Sequence, residues 1–197
     1  MNRIIKWGVL GLGKIAHKFV LDLLQVDNCE LEAVASSSKK RAKFFAKKYG
    51  VKKFYDDYNL LYNDENIDII YIASLNTSHC KHTITGLEHN KAILCEKPIG
   101  INQYEVEKMI NYSIDQNTFL MEGLWTRFNP AFEQVLEWIR QKSIGKVRHI
   151  SASFCFKAIN NKSSSRLFDL KKGGGSLLDI GIYPLFLAYS ILGIPKS

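Results

Sequence analysis

No apolar run in this sequence reaches the ~18 residues that span a bilayer, which argues against a membrane protein. Charge enters too early for a signal peptide, because Arg3 and Lys6 interrupt the first six residues. Cysteine is scarce and unpatterned. Cys29, Cys80, Cys95 and Cys155 show no paired spacing, which excludes a disulfide framework and reads as reduced thiols. Together these absences predict a cytoplasmic location. No internal repeat or low-complexity linker divides the chain. Its 46% hydrophobic and 23% charged residues fit an ordinary folded protein. With 197 residues there is room for one complete domain and part of another.

One further absence is local. No acidic residue lies between Ala33 and Tyr55, a stretch holding Lys39, Lys40, Arg41, Lys43, Lys47, Lys48, Lys52 and Lys53. Those eight cations equal the whole net charge of +8. Much of the run reads as a solvated helix face, and its leading edge as a contact for an anion. No aromatic stacking pattern is interleaved with it, which weighs against nucleic acid as a partner.

Strand-like and helix-like segments alternate through the first 120 residues. Ile4–Leu10 is a short apolar run ending at Gly11, and Leu31–Ala35, Ile67–Ala73, Ala92–Cys95 and Thr118–Met121 are further strands. Between them, Lys14–Val26, Lys39–Tyr49, Ser78–His89 and Asn102–Gln116 carry helical spacing. The alternation predicts an α/β fold, a doubly wound parallel sheet of Rossmann type over residues 1–123. The pattern changes afterwards. Pro130–Lys142 is an amphipathic helix, Lys146–Phe156 a partly alternating long strand, 160–172 a polar loop, and Gly173-Gly174-Gly175 opens a helix to about Leu192. A lone long strand leaves exposed edges. The expectation is an incomplete α+β second domain with an open sheet over 124–197.

Gly11-Leu12-Gly13-Lys14-Ile15-Ala16 fits G-x-G-x-x-G/A after an apolar strand and at the start of a helix, the context that gives the pattern weight. Gly11 permits the tight turn, Gly13 lets backbone N–H groups approach a pyrophosphate, and Ala16 allows close helix–strand packing. Lys14 and Ile15 add N–H groups at the helix start. An NAD-preferring site places Asp or Glu at the tip of the second strand. Here the tip reads Ser36-Ser37-Ser38-Lys39-Lys40-Arg41. Hydroxyls and cations favour a 2′-phosphate, so NADP is the expected cofactor, with NAD possible and Ser36, Ser37, Lys39 and Arg41 as contacts.

Cys95-Glu96-Lys97-Pro98 stands just past a strand's carboxyl end, the edge where open α/β sheets bind ligands. Pro98 restricts Lys97 to extended backbone. An ammonium held there is suited to orienting and polarising a hydroxyl or carbonyl. His79-Cys80-Lys81-His82 lacks a second ligand pair of zinc-like spacing, so no metal is expected.

In order, Gly11–Ala16, Ser74-Leu75-Asn76-Thr77-Ser78-His79 and Glu96-Lys97-Pro98 resemble the glucose–fructose oxidoreductase/inositol dehydrogenase/MocA family. Met121–Phe128 and Gly173–Pro184 resemble its branch of dimeric dihydrodiol dehydrogenases and NADP-dependent D-xylose dehydrogenases. In the family at large, Asp is followed four positions later by His; here Asp179 matches and the second position is Tyr183, as in that branch. The resemblance implies hydride transfer between NADP(H) and a diol or sugar. It makes Tyr183 the proton donor or acceptor, with Lys97 assisting and Asp179 supporting. An i, i+4 spacing places Asp179 and Tyr183 on one helix face, and Pro184 re-aims the phenol. A phenol, reference pKa ~10, needs a cation nearby to act as acid–base. Ser74, Asn76, His79 and Glu96 join the cofactor contacts, and Trp125, Arg127 and Phe154 the substrate pocket. A full-length form is expected to be a homodimer. The alternative is a non-catalytic NAD(P)-binding regulator or inactive truncated paralogue.

Overall fold

Five apolar stretches and one short polar one pair into a single parallel sheet. In the computed structural model, which describes residues 3–157 and 166–195, these are β1 (Ile5–Leu10), β2 (Cys29–Ala35), β3 (Lys53–Tyr55), β4 (Ile69–Ile72), β5 (Ala92–Glu96) and β6 (Leu120–Gly123). Their order is β3-β2-β1-β4-β5-β6. Every neighbouring pair is parallel. Crossovers are made by α1 (Lys14–Leu23), α2 (Lys39–Tyr49), α3 (Tyr58–Tyr62), α4 (His79–Glu88) and α5 (Gln103–Asp115). The order reverses between β1 and β4, and open α/β sheets bind ligands in that crevice.

The central strands are buried on both faces. All four residues of β4 are buried, as are Val9 and Leu10 of β1 and Ala33, Val34 and Ala35 of β2. One core joins Val9, Ala16, Val20 and Phe45 beneath α1 and α2; the other joins Leu61, Ile70, Ile72, Leu87 and Ile93 on the opposite face. Ala16 has no exposed surface, as close packing of α1 on the sheet requires. Helix ends follow the local residues. Ser38 accepts the Arg41 N–H, Asn102 accepts the Glu105 N–H, and Gly50 closes α2 at φ +71°.

The sequence reading missed β3 and α3. β3 depends on a tertiary charge network, whereas α3 is capped locally by Asp57, which accepts the Asn59 N–H. A register shift at Trp7/Gly8 leaves Glu32 out of the β1–β2 pairing, and its carboxylate takes the Lys53 ammonium at 2.7 Å. Lys53 also reaches Asp64 at 3.0 Å, and the Tyr55 hydroxyl donates to Asp64 at 2.9 Å. Burial works to raise the Asp64 pKa, but donors from Lys53, Asn66 and Tyr55 hold it down to about 2. The folded value lies below the ordinary 3.8, so this stabilisation is present above that pH and fades as pH falls toward about 2. Thermal melts between pH 4 and 2 are expected to drop steeply for the wild type. Asp64→Asn should melt lower at neutral pH and lose less across that window. An equally steep loss would take Asp64 out of the acid transition.

Two compact units divide the chain, Met1–Gly123 and Leu124–Ser197. The second contains α6 (Pro130–Arg140) and α7 (Ile182–Leu192), joined through the Phe132–Phe186 ring contact at 5.5 Å. The strand expected over 146–156 is not formed: among the described residues these positions pair with no neighbour. Alternation marks a strand only where a ladder partner is supplied. The polar loop expected at 160–172 lies partly outside the described residues. Within Leu170–Leu192 an 18-residue window with mean hydropathy 1.5 meets the length and composition of a membrane span, and none of that window is buried.

Candidate cofactor and catalytic site

The turn after β1 is shaped by two glycines with opposite surroundings. Gly11 has φ +86°, and a Cβ there would stand 2.7 Å from the carbonyl carbon and oxygen of Ala73. The loops that follow β1 and β4 touch at this point, at the reversal of strand order. Gly13 has ordinary φ of −85°, and a Cβ there meets nothing within 4 Å. It is the N-cap of α1 and supplies no side-chain cap, and the first turn holds no acidic residue. Lys14 and Ile15 are exposed beside it. Unclaimed helix-start N–H groups under open space form a cradle that fits a dinucleotide pyrophosphate.

The Glu96-Lys97-Pro98 loop is tied down on several sides. The Lys97–Pro98 peptide is cis. Glu96 accepts the Tyr71 hydroxyl at 2.6 Å and the Lys97 N–H at 3.2 Å. Tyr71 in turn stacks on Phe19 of α1 at 3.8 Å. Glu122, from β6, accepts the Ile99 N–H at 2.8 Å. Burial pushes the Glu96 and Glu122 carboxyls above their usual range, while the nearby Lys97 charge draws both down. Lys97 therefore has two partly buried carboxyls in its electrostatic surroundings. Sequence reasoning missed Tyr71 and Glu122, because both are remote in sequence from the loop they brace.

Four residues expected at the cofactor also bond within the loops. His79 is 1% exposed, with Nδ1 2.8 Å from the Pro98 carbonyl and Nε2 3.3 Å from the Ser74 carbonyl. Burial lowers its pKa, and the two carbonyls oppose that shift. A neutral ring donates through one nitrogen, and the shorter contact assigns that proton to Nδ1. His79 thus ties the start of α4 to the Lys97 loop. Ser36 is fully buried, and its hydroxyl accepts the Ser38 N–H at 3.3 Å. Asn76 is 9% exposed, and its side-chain oxygen accepts the Thr77 N–H at 2.9 Å. Ser74 is half-buried, with its hydroxyl on the Leu75 carbonyl at 3.4 Å.

Ser37, Lys39 and Arg41 are exposed at the β2 tip as expected. The tip is not purely basic, however. Asp56, from the end of β3, stands 3.8 Å from the Lys39 ammonium. Reading only the residues after β2 hid this carboxylate. His82 parts from His79: its Nδ1 lies 2.8 Å from the Tyr62 hydroxyl. Among the described residues no three His, Cys, Asp or Glu side chains converge as metal ligands.

In the second unit, the Trp125 indole N–H donates to the Tyr183 hydroxyl at 3.3 Å, and the Phe154 ring lies 4.9 Å from the Tyr183 ring. Trp125 is 59% and Phe154 48% exposed. These three rings group together, whereas Arg127 is exposed on the turn that follows Trp125. Asp179 lies in a π-helical turn, Leu177–Gly181, and its Oδ1 accepts from both Nη1 and Nη2 of the Arg166 guanidinium at 3.3 Å. The α-helical i, i+4 argument for Asp179 and Tyr183 therefore does not apply. Pro184 is the third residue of α7, which continues directly from that turn, so its missing N–H interrupts the helix ladder at the junction of the two.

Comparison with known proteins places this geometry. Residues 5–124 match an oxidoreductase family with an NAD-binding Rossmann fold, and residues 132–197 match the GFO/IDH/MocA C-terminal domain. The chain is 37% identical over 194 residues to trans-1,2-dihydrobenzene-1,2-diol dehydrogenase of Mus musculus, and 38% to that of Sus scrofa. Each comparison covers 98% of this chain and 57% of the relative, so the chain spans little more than half their length. Among solved structures, KijD10, a 3-ketoreductase from Actinomadura kijaniata in complex with NADP and TDP-benzene, superposes with TM-score 0.87 at 28% identity, over 98% of this chain and 58% of that one. The chain belongs to the GFO/IDH/MocA family of oxidoreductases with an NAD(P)-binding Rossmann domain.

Proposed function

We propose that this chain binds NADP(H) and serves an oxidoreductase that interconverts a hydroxyl and a carbonyl on a diol or sugar-like substrate. The observation that carries the reading is the open space over Gly13 at an uncapped helix start, at the reversal of strand order. Gly11, Gly13, Lys14 and Ile15 would hold the pyrophosphate, and Ser37, Lys39 and Arg41 the 2′-phosphate. The nicotinamide supplies or accepts the hydride.

The protein's own part is orientation and proton handling. Lys97 polarises the reacting oxygen from a loop that Glu122 and His79 keep in place. Tyr183 gives or takes the hydroxyl proton, and the Trp125 N–H on its oxygen favours negative charge there. Trp125 and Phe154 offer apolar faces to a ring-shaped substrate. The diol dehydrogenase relatives and the NADP-bound 3-ketoreductase support interconversion of a hydroxyl and a carbonyl.

Fluorescence titration with NADPH and NADH, followed by a screen of diols and aldoses, tests the reading. NADPH is expected to bind at least tenfold more tightly. Equal affinity for the two would overturn the cofactor assignment, and binding without turnover on any diol or aldose would favour a regulator.

A further inference from the structure

The corner between β3 and α3 enters the β2 tip from the side. Register pairs Ala35 with Tyr55, so the two strands end level, and the Ser36 N–H extends the ladder to the Tyr55 carbonyl at 3.1 Å. Tyr58 then opens α3, and its phenol oxygen accepts the Ser37 N–H at 3.3 Å. The ring is braced from behind. His82 of α4 meets it edge-on, with centroids 5.1 Å apart and planes at 80°. His82 is held by a hydrogen bond between its Nδ1 and the Tyr62 hydroxyl at 2.8 Å, and burial keeps its pKa down at about 4, so the ring is neutral near pH 7.

Three backbone donors at this tip are already taken: the Ser37 N–H by Tyr58, the Ser38 N–H by Ser36, and the Arg41 N–H by Ser38. An anion arriving here meets side-chain donors together with the Lys39 and Lys40 N–H groups at the start of α2. The Tyr58 oxygen has one lone pair on Ser37, and its own proton has no acceptor among the described residues. A phenol in that state is a donor held ready beside Ser37, Lys39 and Arg41.

We propose that Tyr58 is a specificity-determining residue for the cofactor: its oxygen fixes the Ser37 loop and its O–H donates to the ribose 2′-phosphate. This rests on the NADP(H) reading above. A neutral ribose hydroxyl gains less from such a donor than a phosphate dianion does, because hydrogen bonds to charged groups are about twice as strong. Tyr58→Phe keeps the ring and its His82 contact and removes only the hydroxyl.

The test is fluorescence titration of wild type and Tyr58→Phe with NADPH, NADH and 2′,5′-ADP. In the variant, affinity for NADPH and for 2′,5′-ADP should fall about tenfold, while NADH affinity changes less than twofold. Unchanged NADH binding also shows that the variant is folded. Equal losses for NADPH and NADH would make Tyr58 a structural residue only and overturn the proposal. So would full retention of the preference by the variant. A wild type that binds both dinucleotides equally would overturn the NADP(H) reading itself, which the wild-type arm reports separately.

Discussion

Gly11→Ala is expected to destabilise the protein by several kcal/mol and to abolish dinucleotide binding, whereas Gly13→Ala, two residues on, should leave the fold intact and lose binding alone. At Gly11 two costs add. Left-handed backbone costs an L-residue roughly 1 kcal/mol, and here φ is +86°. The new Cβ would also stand 2.7 Å from the Ala73 carbonyl group and 2.8 Å from the Ser74 nitrogen. Those are main-chain atoms at the joint of β1 and β4, so no rotamer change relieves the contact. At Gly13, φ is −85° and nothing stands within 4 Å of the added methyl. Such a replacement stabilises by about 0.4–1 kcal/mol by restricting the unfolded chain. The methyl nevertheless projects over the helix start where a pyrophosphate would approach. Thermal melting and NADPH titration on both variants check the pair. A Gly13→Ala protein that binds NADPH as tightly as wild type would remove the pyrophosphate from this turn.

The sheet and the glycine turn were legible because both are written locally. Ile69–Ile72 is apolar throughout, and β4 is buried on both faces. The glycine turn joins strand to helix in six residues. β3 was not legible because it is three residues long and its Lys53 is held by Glu32 and Asp64, which lie outside a short window around it. Site residues divide along the same line. The identities of Ser36 and His79 could be read, but not their directions. Ser36 folds inward onto the Ser38 N–H, and His79 gives its Nδ1 proton to the Pro98 carbonyl. Side-chain aim at such positions is decided by which backbone groups need partners, and that is a property of the assembled loops. Residues 146–156 make the converse point, since an alternating pattern formed no ladder without a neighbour.

Tyr183→Phe is expected to lower turnover by about 10²–10⁴-fold, the range that one positioned acid–base group contributes, while leaving NADPH affinity unchanged. The substitution deletes a hydroxyl and keeps the ring, so the tilted Phe154 contact at 4.9 Å and the Trp125 ring at 6.2 Å remain. What disappears is the oxygen that receives the Trp125 N–H at 3.3 Å. An indole N–H aimed at a phenol oxygen stabilises negative charge on it, which helps the oxygen release a proton in one direction and regain it in the other. That assistance is lost only for the chemical step, so the deficit should fall on kcat rather than on cofactor binding. Trp125→Phe provides a graded companion: it keeps an aromatic face and removes the donor, and should cost less than Tyr183→Phe. Stopped-flow single-turnover rates with NADP and a substrate found in the diol and aldose screen separate chemistry from release. A Tyr183→Phe protein whose single-turnover rate matches wild type would assign the proton to another group and leave the three rings as a substrate-facing wall alone.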